Sequence, residues 1–236
     1  FAYREMCNYY LNYDFSIVLT LMLCLYGIIG TFVSERETQM DMLLLVSPGG
    51  GRKTTLAKIL AATIFLTLTS LWFSLLDLIG FAAAFQTFEG LALPVFAIPN
   101  FAESSVNISI FRYVLLSAAL KCAGAWVMGM LWLMVSMFWK NALLPFVIDF
   151  ALCMALIVSG AACAYSNFFW TKVLNPYSLL TNRVLLGKTE FVNLGGFPVL
   201  TWQAAVWISL TAGLALAAAI YFLSAENCHR CVGRAK

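Results

Sequence analysis

The sequence predicts an all-α integral membrane protein, on three observations. Of 236 residues, 62% are apolar and 11% charged, too little charge to cover a soluble globule of that length. Mean hydropathy is +0.88. Five apolar runs are long enough to cross about 30 Å of hydrocarbon at 1.5 Å per residue, with a helical period rather than the ten-residue alternation of a membrane barrel.

The runs are approximately 15–33, 59–85, 113–139, 142–165 and 202–224. Lys and Arg between them set the orientation, because the excess marks the cytoplasmic face. The connection after the first run carries Arg36, Arg52, Lys53 and Lys58, the third-to-fourth connection carries Lys140, and the tail carries Arg230, Arg234 and Lys236. The other side has Arg4, Arg112, Lys172, Arg183 and Lys188. Residues 34–58 and the tail 225–236 are therefore expected in the cytoplasm and Phe1 outside. A further N-terminal span is expected before Phe1, giving six in a single transmembrane domain that covers 1–236.

The outer connections are longer. Residues 86–112 hold Pro94, Pro99 and Asn100, and residues 166–201 hold the stretches "NPYSLL" and "NLGGFP". The second is expected to form short interfacial or re-entrant helices, with Tyr177, Phe191 and Trp202 at headgroup level. Of the seven cysteines, Cys24, Cys122, Cys153 and Cys163 fall inside apolar runs, where a thiol acts as a small hydrophobe, and no disulfide framework emerges. Cys228, His229 and Cys231 in the tail are too few ligands for a closed zinc site; no metal site and no nucleic-acid partner are expected.

The stretch "SPGGGRKTTLAKIL" resembles a phosphate-binding loop only at a glance. G-x-x-x-x-G-K-[ST] needs the lysine directly after the last glycine and another glycine five residues earlier. Here Arg52 follows Gly51 and Val46 holds the earlier place. ATP is not expected to bind this chain.

Upstream, Ser34 followed by Glu37 fits a capping box at a helix start, and Glu35, Glu37 and Asp41 suit the positive end of such a helix. Met40, Leu43 and Leu44 then form an apolar stripe, and Pro48 with the glycines is expected to end it. This reads as a short amphipathic helix over about 35–47 at the cytoplasmic interface. A helix lying on lipid alone usually carries Lys and Arg on its polar face, whereas this one is acidic.

The loop resembles the first cytoplasmic loop of ABC type-2 permeases, the membrane subunits of bacterial exporters. The residues that carry the resemblance are Glu35-Arg36-Glu37, Leu43-Leu44-Leu45, Ser47-Pro48, Arg52 and Lys58. Two departures are Thr38-Gln39-Met40, where the family often has a Gly-Thr pair, and Arg52, one residue later than usual. The resemblance implies a coupling helix that docks on a separate cytoplasmic ABC ATPase, with Glu35, Arg36, Glu37, Met40, Leu43, Leu44, Pro48 and Arg52 as coupling residues. It also implies ATP and Mg bound by that partner and a second permease chain, as a homodimer or heterodimer. The cargo would be amphipathic: a peptide, toxin, drug or lipid-linked molecule.

Asp77, Lys121 and Asp149 fall within apolar runs, where an ionisable group is costly unless paired or facing water. They are expected either to line a pathway or to form structural ion pairs, Asp77 and Lys121 meeting near the outer face. The competing class is an ion-coupled carrier or membrane-embedded enzyme acting without an ATPase. The lone histidine, His229, lies in the tail and supplies no catalytic cluster, so this chain is expected to be no enzyme and to have no catalytic residue.

Overall fold

The structure is a computed structural model and describes residues 2–40, 50–86, 89–98, 101, 104, 108–139, 141–164, 169–194 and 196–234. The long helices are α2 (Phe15–Glu37), α3 (Gly50–Phe85), α4 (Ile110–Ser136), α5 (Leu143–Ala164) and α9 (Thr201–Arg234), preceded by the short α1 (Ala2–Asn12). All five are long and apolar enough to cross a membrane, which makes the chain a multi-pass membrane protein of predominantly α-helical fold.

The helices overrun the predicted spans. The first continues through Glu37, and the second begins at Gly50 instead of Ile59. Two corrections follow. Ser34 does not cap a new helix: its hydroxyl donates to the Gly30 carbonyl one turn back, and residues 34–37 are the last turn of α2. Gly50 and Gly51 do not stop a helix but open α3. The predicted amphipathic helix therefore loses its first residues to α2. Most of its remainder, including Leu43, Leu44 and Pro48, lies outside the described residues, as does Lys140.

Three helices end on a polar non-glycine residue in the left-handed region: Gln39 (φ 55°) after α2, Gln86 (φ 53°) after α3 and Asn182 (φ 46°) after α7 (Tyr177–Thr181). That conformation stops helical hydrogen bonding and turns the chain.

The central post is α4, which packs against each of the other four long helices. Small residues permit this. Gly124 faces Leu179, Leu180 and the Pro176 carbonyl, and Gly129 faces Leu66 and Ile28. Trp132, Met128, Met130 and Leu133 of α4 are fully buried. By contrast α3, α5 and α9 turn large apolar side chains outward, among them Leu68, Phe146 and Phe222. An apolar outer face of this kind suits lipid or another span.

The outer connections are ordered around that post. After 3₁₀ turns at Glu89–Ala92 and Val95–Ala97, Val95 and Phe101 are buried beside Tyr113. In the second connection the expected short helices occur as α6 (Phe169–Leu174), α7 and α8 (Arg183–Leu186). Asn175 organises them: its Nδ2 donates to the Leu156 carbonyl at 2.9 Å, and its Oδ1 accepts from the Tyr177 N–H at 3.0 Å. Tyr177, Ser178, Leu179 and Leu180 are all buried as α7 packs against the middle of α4.

The all-α expectation needs one amendment. Phe191–Leu194 (β1) and Phe197–Leu200 (β2) pair antiparallel, with Val192 opposite Val199, and Gly196 takes φ 98° at the turn. Phe191 is exposed, whereas Trp202 packs against the core.

Candidate functional site

At one end of the bundle the charged run Glu35-Arg36-Glu37 closes α2, and each member holds a different neighbour. Glu35 pairs with Lys58 of α3, whose ammonium also sits 4.2 Å from the centre of the Phe32 ring. Arg36 donates through Nη1 to the Trp139 carbonyl, just past α4, at 2.9 Å. Glu37 accepts through Oε1 from the Ala142 N–H, at the threshold of α5, at 3.1 Å. A fourth tie joins α3 to α9, where the Thr55 and Ser224 hydroxyls lie 2.5 Å apart.

Local sequence explains the arrangement. Consecutive helical positions point about 100° apart, so three adjacent charged residues in a last turn fan out toward three different helices. Long side chains at a helix end span the remaining gap while their stems stay on apolar surface. The result is a clasp: every long helix is fastened directly or through α3 at the same end of the bundle.

The other predicted coupling residues divide. Met40 follows the break at Thr38-Gln39 and is 53% exposed. Arg52 stands exposed in the first turn of α3 rather than in a loop. Leu43, Leu44 and Pro48 lie outside the described residues. Lys58 was legible as the basic residue opening the second span. Its pairing with Glu35 was not, because the intervening residues hide the approach of α3 to α2.

The intramembrane charges depart from expectation. Asp77 accepts a hydrogen bond from Ser16, and Lys121 lies within electrostatic range of both Asp77 and Asp14, but neither carboxylate comes within 4.0 Å of it. Asp14 instead pairs with Arg183 at 3.5 Å. Sequence reasoning missed Asp14. Its position directly before the first apolar run was the available signal.

Asp149 is completely buried within α5, and neither carboxylate oxygen has a hydrogen-bond partner among the described residues. Among the described residues it joins no ion pair. Among the described residues no group of three or more His, Cys, Asp or Glu could hold a metal ion.

No protein-family model matches the chain, and no curated protein does. The fold defines a multi-pass membrane protein, and the clasp links its long helices at one end of the bundle.

Proposed function

We propose that the chain is the permease subunit of an ATP-driven exporter of the ABC type-2 class. Two copies would form the pathway for an amphipathic cargo, and a cytoplasmic ABC ATPase would bind ATP and Mg. The observation that carries this reading is the clasp at Glu35-Arg36-Glu37. A separate ATPase can drive a membrane bundle only through an element tied rigidly to the spans. Here the residues that hold α2 to three other helices are followed at once by the break at Thr38-Gln39 and by the leucine-rich stretch. In this reading that stretch docks in the ATPase groove, and the clasp face, with the tail, lies in the cytoplasm. Glu35 and Glu37 then act mainly by holding the spans rather than by contacting the partner.

The test is affinity purification from native membranes under mild detergent, followed by ATPase assay. Recovery of an ABC-type ATPase with nucleotide hydrolysis above that of a tagged control supports the reading. Recovery of the chain without any ATPase, with transport driven by an ion gradient, supports a carrier acting alone.

A further inference from the structure

Lys121, half-buried on α4, lines two adjoining cavities at once. The outer cavity, of about 20 Å³, is lined on its polar side by Tyr10, Tyr13, Asp14, Tyr113, Ser117 and Asn182. The inner one, of about 10 Å³, is lined by Ser16, Thr20, Ser70 and Ser74. An ammonium has three N–H donors to satisfy, yet among the described residues no acceptor makes a hydrogen bond or ion pair to Lys121. Asn182 poses the complementary problem. It is 3% exposed, its Nδ2 donates to the Ser117 hydroxyl at 2.6 Å, and its Oδ1 is buried with no donor.

We propose that these cavities bind ordered water, and that this water solvates Lys121 inside the bundle. A water needs roughly 10–15 Å³ and two to four polar partners, which the outer cavity meets outright and the inner one at its lower limit. A water in the outer cavity gives Lys121 an acceptor and lies beside Ser117 and Asn182. One in the inner cavity lies beside Ser16, which holds Asp77. The two sites make a hydrated seam from Asp14 to Asp77, in which the charges of Asp14, Asp77, Lys121 and Arg183 cancel. Ionisable groups at membrane depth are stabilised by water or partners in this way.

Each cavity has room for about one water-sized occupant. The hydration stands whether or not the chain is a permease.

Hydroxyl-radical footprinting in lipid nanodiscs tests the proposal, because radicals generated from bound water label adjacent side chains. Tyr113 is 2% exposed and lines the outer cavity; Phe101 is fully buried and packs edge-on against it at 5.5 Å between ring centres, but lines neither cavity. Tyr113 is expected to be modified several-fold faster than Phe101, and Lys121→Met, checked for an unchanged melting profile, is expected to lower the Tyr113 rate. Equal labelling of Tyr113 and Phe101 in the unaltered chain overturns the proposal, and that comparison requires no variant. An unchanged Tyr113 rate in folded Lys121→Met overturns the role given to Lys121.

Discussion

The carboxylate of Glu37 accepts a hydrogen bond from the backbone N–H of Ala142 at 3.1 Å, 105 positions away in the sequence. It joins the last turn of α2 to the threshold of α5, and an N–H at a helix start has no acceptor of its own. Glu37→Ala removes that acceptor. The expected loss is about 1 kcal/mol at this exposed site, read as a lower melting temperature in detergent. Glu37→Gln, which keeps an acceptor oxygen, is expected to recover most of it.

Glu35 and Lys58 join α2 to α3, with side-chain exposures of 28% and 11% respectively. A double-mutant cycle of Glu35→Gln and Lys58→Met is expected to give a favourable coupling of about 1 kcal/mol, reduced by solvent screening at the glutamate. Strict additivity of the two changes contradicts the pair.

Gly129 and Gly30 are both small residues on long helices, but their surroundings differ. A side chain at Gly129 meets Leu66 and Ile28, whereas one at Gly30 meets nothing within 4 Å. Gly129→Val is expected to destabilise the bundle by about 1–3 kcal/mol through overpacking, and Gly30→Ala to leave melting unchanged. If two copies pair through the open face of α2, Gly30→Cys is expected to cross-link to a second copy in native membranes. Monomers alone at saturating reagent would count against that pairing.

The orientation is testable at exposed positions. Phe96→Cys and Lys188→Cys, in the two longer connections, are expected to react with an impermeant thiol reagent added outside sealed cells. Arg52→Cys, at the clasp face, is expected to react only after permeabilisation. Surface labelling of Arg52→Cys inverts the orientation.

The long helices were legible because lipid imposes both a length and a continuous apolar composition. Their ends were not. Ser34 and Glu37 satisfy a helix-start pattern, but a serine hydroxyl that donates one turn back fits a helix end equally well, and only the position of Gly30 decides. The hairpin left a signal in its two glycines between Phe191–Leu194 and Phe197–Leu200, outweighed by the helical character around it. The Glu-Arg-Glu run was visible as a candidate site. Its contacts with Lys58, Trp139 and Ala142 were not, because nothing in one sequence records which distant backbone groups lack a partner.

In the proposed reading the segment following the clasp couples this chain to an ATPase. Its most direct test is ATPase recovery and transport for Leu43→Asp, measured beside the unaltered chain. A carboxylate in a desolvated contact is expected to weaken docking by about 2–4 kcal/mol, while the melting temperature of the chain is expected to stay unchanged. Leu43→Asp is expected to give an inserted, folded chain that no longer recovers ATPase or transports. Full ATPase recovery together with full transport by Leu43→Asp would contradict it.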